Sequence, residues 1–317
     1  MLSPRGVVAK EGDVVLIFRG YRNLQPLCLK KDEVYHSKEG KFAHNDIIGR
    51  PLNQYVSGKP NSKADPSVPS VLVLQASTDL WTQAVRHRTQ IIYDTDIAVI
   101  TLQLRLGPGK VVVEAGTGSG SLTHSLARAV APSGTVHTCD FHQGRCLEAR
   151  DEFRANGLAD LVVSHWRDVC LTSTAVAPGA PAVAQQTAPL PGFGLPAHSV
   201  DAVFLDVPAP WAAIDNAVHV LRPGGVLCTF SPCIEQTQRT AERLRAAPHD
   251  FIDIRTVEAL TKDFSPVYKR AREEGGGQDR VKFRASLVSK GHSAYLTFAR
   301  RRLQPLRPDG EEDEAMA

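Results

Sequence analysis

The sequence predicts an α/β fold: a mostly parallel sheet with helices on both faces, preceded by a small antiparallel β unit. Apolar strand-like runs alternate with helical patterns through the central part of the chain. The first of these runs ends in a glycine turn that opens a helix, "VVVEAGTGSGSLTH" at 111–124. Residues 10 to 60 instead hold short pieces, "DVVLIF", "LCLKK" and "EVYHS", with glycine-rich punctuation, which predicts the β unit.

Taken in order, the β unit spans 1–65, and "NSKADPSVPS" reads as a linker or turn at its end. A second domain then covers 66–302. It begins with "STDLWTQAVRHRTQIIYDTDIAVITLQL", which carries a Ser/Thr/Asp start signal and apolar residues at helical spacing until "GPGK" stops it. Strand and helix then alternate: "KVVVEA" with "SLTHSLARAV", "GTVHTCD" with "QGRCLEARDEFRANG", "LVVSHW", "VDAVFLD", and "GGVLCTFS" with "IEQTQRTAERLRAA". Two late strands, "FIDIRTVEAL" and "AYLTFARR", flank a polar basic stretch expected to be the loop of a closing hairpin. Residues 171–199 are so rich in Ala, Pro and Gly that they read as a flexible surface insertion at the ligand edge of the sheet. Residues 303–317, ending "DGEEDEAMA", read as a disordered acidic tail.

With 317 residues and 42% hydrophobic content, the chain can bury a sizeable core. It shows neither a signal-peptide core nor an apolar run near the roughly 18 residues needed to span a bilayer, so neither membrane insertion nor secretion is expected. Six cysteines without C-x-x-C spacing suggest reduced thiols and no metal cluster. The net charge is +3, but residues 1–63 hold eleven Lys or Arg against six Asp or Glu, and residues 262–307 hold twelve against four. Basic ends suit a polyanion such as RNA, although an ordinary solvated surface looks the same.

The glycine turn narrows the ligand. Backbone N–H groups and a helix dipole at a strand exit attract phosphates, dinucleotides or other nucleoside cofactors. A phosphate loop is excluded because no G-K-[ST] follows. The dinucleotide pattern G-x-G-x-x-G requires glycine where Ser121 stands; the glycines fall instead at 116, 118 and 120. Glu114, just before them, would repel a pyrophosphate and attract the ammonium of a methionine moiety. That favours S-adenosylmethionine over a turn serving packing alone. Asp140 ends the next strand, where a carboxylate can accept from both ribose hydroxyls. Asp168, followed by Val169, can accept from an adenine amino group, or can simply cap a loop. Asp206 ends the fourth strand in "VFLDVPAPW", whose prolines stiffen the exit. This resembles the (D/N)-P-P-(Y/F) exit of methylases acting on base nitrogens. An aspartate there can orient an adenine through its amino group and assist attack by N1. Trp211 can stack on a base.

Together, "RHRTQIIYDTDIAVI", "EAGTGSGSLTH", "TCDFHQGR", "RDVC", "VFLDVPAPW" and "FSPCIEQTQRT" resemble the catalytic subunits of eukaryotic tRNA (adenine-58-N1)-methyltransferases, over about residues 8 to 302 without the insertion. The resemblance implies a class I methyltransferase, Rossmann-like fold with a seven-stranded mostly parallel sheet. It also implies S-adenosylmethionine as donor, tRNA as substrate, no metal, and a non-catalytic homologous subunit in a nuclear α2β2 heterotetramer. It places cofactor contacts at Gly116, Gly118, Ser119, Gly120, Ser121, Asp140, Arg145, Asp168, Val169 and Asp206, the last also catalytic. Substrate contacts fall on Arg19, Gly20 and Tyr21; Gln90, Ile91, Ile92, Tyr93 and Asp94; Val207 and Pro208; and Ser231, Pro232, Cys233, Ile234, Glu235 and Gln236. Asp140 stands where the family often has glutamate. Two other readings are a tRNA-binding partner without activity and a nicotinamide-dependent oxidoreductase.

Overall fold

The computed structural model describes residues 8–20, 23–62, 67–171, 192–246, 248–269, 280–288 and 291–303. Six strands come first: β1 (Val14–Phe18), β2 (Leu24–Cys28), β3 (Val34–His36), β4 (Lys41–Ala43), β5 (Gln54–Ser57) and β6 (Ser70–Gln75). β3 and β4 form a separate hairpin; the others make one sheet in the order β2-β1-β6-β5. The sheet thus continues past the boundary expected near residue 65, because β6 pairs with both β1 and β5. Alternation along β1 sends Val15 and Ile17 into the core of this unit with Phe42 and Val73. Leu16 points the other way and packs on Trp81, Val85 and Ile91, which joins the unit to the rest of the chain.

The helical pattern after residue 77 forms two helices, α1 (Thr78–Ala84) and α2 (Asp94–Gln103). The hydroxyl of Ser77 caps α1 by accepting from the Leu80 N–H at 3.3 Å. Between the helices, the N–H groups of Arg88 and Thr89 donate to Ser119 Oγ at 2.9 and 3.1 Å, so tertiary partners replace helical ones.

The main sheet is built from β7 (Val111–Ala115), β8 (Thr135–Asp140), β9 (Val162–Trp166), β10 (Val200–Leu205), β11 (Leu221–Ser231), β12 (Phe251–Val257) and β15 (Tyr295–Arg301). Its order is β12-β15-β11-β10-β7-β8-β9, seven strands, with β15 antiparallel to both its neighbours. On one face, α2, α3 (Ser121–Val130) and α4 (Gln143–Ala155) cover Val112, Val136 and Phe204. On the other, α5 (Ile214–Val220) and α6 (Ile234–Arg245) cover Val113, Val203 and Leu205. Successive residues of one strand feed opposite layers, which explains why these strands read as continuous apolar runs. No helix among the described residues is long and apolar enough to cross a membrane.

Two expectations need correction. The stretch between β12 and β15 is not a plain loop: β13 (Phe264–Lys269) and β14 (Arg280–Ala285) pair antiparallel within it. Of the insertion expected to be flexible, residues 172–191 lie outside the described residues, as does the tail from 304. Its end, however, is core. Phe193 is fully buried and packs with Ile214 and Ala217, because an aromatic ring repays its ordering by leaving water. Phe193→Ala is expected to destabilise the chain by about 3–5 kcal/mol, measured by denaturant unfolding; a loss within experimental error would mean that this segment does not support the sheet.

Candidate active site

β7 and β10 lie side by side at the middle of the sheet, and their C-terminal ends are tied together beyond the last paired residues. Gly116 N donates to Asp206 O at 3.1 Å, and Asp206 N donates to Ala115 O. A cavity of about 600 Å³ opens there, bordered by Gly116, Gly118, Asp140, Phe141, Arg145, Asp168, Val169, Asp206, Val207, Pro208, Pro232, Gln236 and Gln90. Residues at or just beyond the ends of β7, β8, β9 and β10, with the turn after β11, thus meet at one edge.

The glycine turn is shaped by packing on its protein side. Gly118 and Gly120 have φ of +54° and +76°, and an added Cβ would come within 2.7 Å of Thr89 Oγ1 and 2.8 Å of the Phe153 ring. Ser119 and Ser121 are buried and turn away from the large cavity: Ser119 Oγ holds Arg88 and Thr89, while Ser121 Oγ lies 3.1 Å from both Thr82 Oγ1 and Ile92 O. Arg88 completes the knot. Its guanidinium bridges Ser119 O at 3.0 Å and Glu152 at 2.8 Å, with side chains only 9% and 18% exposed. Sequence reasoning missed this residue; the basic cluster "RHR" interrupting a helical pattern was its only signal.

Three carboxyl groups surround the turn. Glu114 is buried beneath it, accepting from Thr123 Oγ1 at 2.5 Å and Thr138 Oγ1 at 2.7 Å. Burial pushes it up to about 8 despite these bonds, which favour the charged form. It borders a second, smaller cavity beside Gln90, Gly116 and Asp206, so a cation arriving there would draw off its proton. Asp140 is buried at the end of β8 and accepts from Gly118 N at 3.1 Å, His142 N at 2.8 Å, and Arg145, whose NH2 group lies 2.9 Å away. Asp206 is half-buried. Among the described residues no hydrogen bond reaches its carboxylate, and burial pushes it up to about 6.

Asp168 borders the cavity while its carboxylate also accepts from Cys170 N at 2.9 Å, so it is a loop cap and a wall residue together. Val169 is buried beside it. Of the expected substrate segments, Gln90, Val207, Pro208, Pro232 and Gln236 reach the cavity. Tyr93, Asp94, Cys233, Ile234 and Glu235 are exposed outside it. Ile91, Ile92 and Ser231 are buried. Arg19 pairs with Glu39 at 3.1 Å and neither it nor Gly20 borders the cavity; Tyr21 lies outside the described residues. Trp211 does not line the cavity either: Arg239 covers its ring at 5.3 Å. Among the described residues no cluster of His, Cys, Asp or Glu suits a metal ion.

These residues fit S-adenosylmethionine. The volume suits a nucleoside ligand of that size, Gly116 and Gly118 line its wall at the turn, and acidic groups sit at the ends of successive strands. Asp140 would hold the ribose, Asp168 and Val169 the adenine, and Glu114 the methionine end. One adjustment is required. A carboxylate offers about four lone-pair positions, and Asp140 already spends them on Gly118, His142 and Arg145. Arg145, on the cavity rim with its side chain 27% exposed, must yield for a diol to bind.

Two predictions follow from this geometry. Arg88→Ala should cost about 3 kcal/mol by leaving Glu152 without its partner, and calorimetric titration should show weakened cofactor binding; unchanged values for both would remove Arg88 as the anchor of the turn. The Glu114 carboxyl moves from its ordinary 4.5 to about 8 on folding, so the folded chain holds the proton across that window and loses stability as pH rises through it. Glu114→Gln should therefore melt increasingly above the parent as pH rises from 4.5 to 8; a constant difference would mean that the group does not titrate there.

Residues 70–185 and 182–284 match the family model described as tRNA methyltransferase complex GCD14 subunit. The chain is 34% identical over 332 aligned positions to the catalytic subunit of tRNA (adenine(58)-N(1))-methyltransferase of Dictyostelium discoideum, covering 95% of this chain and 98% of that one. It is 38% identical to the corresponding subunit of Cryptococcus neoformans over 79% of its own length, and spans about half of that longer relative, 52%. Among solved structures, a SAM-dependent O-methyltransferase from Thermotoga maritima superposes with a TM-score of 0.72 at 26% identity, covering 95% and 97% of the two chains. The tRNA (m1A58) methyltransferase of Aquifex aeolicus shares the fold, with a TM-score of 0.64 at 22% identity and coverage of 93% and 98%. A cavity at the strand exits, a glycine turn over Glu114, and a match across most of the chain converge: the chain belongs to the family of tRNA methyltransferase complex GCD14 subunits.

Proposed function

We propose that this chain is the catalytic subunit of a tRNA (adenine-58-N1)-methyltransferase, moving a methyl group from S-adenosylmethionine to N1 of adenosine 58 in the T-loop. Asp206 carries this reading: a half-buried carboxylate with no hydrogen-bond partner among the described residues, raised to about 6, at the edge of a cavity that suits the cofactor. When bound, the cofactor supplies an electrophilic methyl on a sulfonium. The chain must then hold the base in line and manage its charge. Asp206 can accept from the adenine amino group, and that bond strengthens as N1 forms its bond to carbon and the ring turns positive. Pro208 and Pro232 border the same cavity and give the base stiff walls.

Other features support the finer parts of the proposal. Basic residues concentrated at both ends of the chain suit tRNA. One face of the β13–β14 ladder exposes Phe264, Val281 and Phe283, an apolar surface suited to a homologous non-catalytic subunit in an α2β2 assembly. The runs "YKRAR" and "ARRRLQPLRP" suit nuclear import. The reading as an inactive partner is weaker because such a chain has no need of both the glycine turn and Asp206. A nicotinamide cofactor is disfavoured by Ser121 in place of the third glycine.

The test is transfer of label from S-adenosylmethionine to unmodified tRNA, with and without the partner subunit. Label should require adenosine 58. Asp206→Ala should lower kcat by about 10²- to 10⁴-fold while cofactor binding persists. The working form of Asp206 is the carboxylate, so kcat/KM should rise with pH through about 6. Label that ignores replacement of adenosine 58 would overturn the substrate, and an active Asp206→Ala enzyme would remove Asp206 from the chemistry.

A further inference from the structure

A histidine outside the cavity grips one of its walls. His292 Nε2 lies 2.9 Å from Pro232 O, and its Nδ1 contacts Glu258 Oε1. Both partners are acceptors. A neutral imidazole has one N–H, so the two bonds form together only when the pair of His292 and Glu258 holds the extra proton that makes an imidazolium. The next residue adds a second clamp: Ser293 Oγ lies 3.3 Å from both Asp96 Oδ1 on α2 and Ala259 O after β12. The dipeptide therefore ties α2 and the end of β12 to the turn that follows β11.

That turn matters because Pro232 and Gln236 border the cavity. Gln236 is fixed at both ends of its amide, accepting from Cys233 N at 3.3 Å and donating to Pro208 O at 2.9 Å. A continuous hydrogen-bonded path thus runs from Glu258 through His292 and the Pro232 turn to the backbone two residues beyond Asp206.

We infer that His292 is a positioning residue: its imidazolium form holds the Pro232–Gln236 wall in place, so that tRNA engages the cavity best while this ring is protonated. The inference rests on the methyl transfer to tRNA proposed above. Among the described residues, the groups facing the ring are Glu258, Asp96 and the aromatic face of Tyr295, whose centroid is 4.6 Å away. The Glu258 hydrogen bond, the Pro232 carbonyl and the negative charges of Glu258 and Asp96 together raise the ring above its ordinary 6.5. Both bonds are therefore intact at low pH, and one of them is lost as pH rises through the raised value.

Steady-state kinetics of the full chain with its partner subunit and unmodified tRNA, across the neutral and alkaline range, tests this. KM for tRNA should rise about fivefold on the alkaline side, the loss of one hydrogen bond, while kcat and the Kd for S-adenosylmethionine stay level. His292→Gln keeps a donor toward Pro232 without a titrating ring, and its KM should be flat with pH. Glu258→Gln should move the alkaline limb to lower pH. An alkaline limb unchanged in both variants overturns the inference. Should the parent methylate no tRNA at all, the reading of function fails separately, and the wall is followed by NMR with labelled histidine. The amides of Cys233 and Gln236 should then titrate with the His292 ring; amides that ignore the ring overturn the inference in that case.

Discussion

The parallel pairing of β7 with β10 is the constraint on which the rest of the structure depends. These strands are far apart in the chain but run in register from Val112 opposite Ala202 to Ala115 opposite Leu205. From this pair the connections diverge, since β8 lies beyond β7 on one side and β11 beyond β10 on the other. Divergence leaves a crevice at the carboxyl ends of the strands that no crossover helix can cover. The glycine turn and Asp206 leave the sheet at this point, bonded to each other through Gly116. A shift of register would separate the loop that suits a cofactor from the carboxylate that suits a base.

Around that crevice, three carboxyl groups of similar intrinsic acidity acquire different characters from their surroundings. Glu114 is taken out of water, and two threonine hydroxyls do not compensate, so it holds its proton at neutral pH. Asp140 is just as buried but keeps an arginine and two backbone N–H groups in contact. Asp206 has partial burial and, among the described residues, no such partner, which leaves its oxygens available. The site thus offers a neutral acid, a paired carboxylate and an open one within a single edge of sheet. Specialisation of this kind comes from desolvation and donor placement rather than from residue type.

Much of this was legible in the sequence. Alternating apolar runs and helical spacing indicated a mostly parallel sheet with two helical layers, because a two-faced parallel strand must be apolar throughout, and the family resemblance supplied its seven strands. The glycine turn, Asp140, Asp168 and Asp206 were each found from their position at a strand exit, and all border the cavity. What local pattern left out depends on distant segments. Ser119 and Ser121 fit a cofactor motif by spacing and line the smaller cavity with Glu114, but their hydroxyls are engaged by the segment before α2, which comes from elsewhere in the chain. Ile91 and Ile92 belong to a segment expected to face substrate, yet their apolar side chains turn into the core. The single helical pattern after residue 77 breaks because Arg88 and Thr89 find better partners in the glycine turn. Phe193 lies in a stretch whose composition argues for a loop, and one aromatic residue overrides that average.

The sequence by itself determined the order of the main-sheet strands along the chain, the class of sheet and the acidic residues at the strand ends, since these depend on periodicity and on residues adjacent in the chain. The tertiary structure alone decided which strand lies beside which carboxylate, that Arg88 locks the glycine turn, that Arg145 sits on Asp140, and that the β unit extends through β6. These are contacts between distant segments, where burial and hydrogen-bond geometry select the partner and local pattern carries no record of the choice.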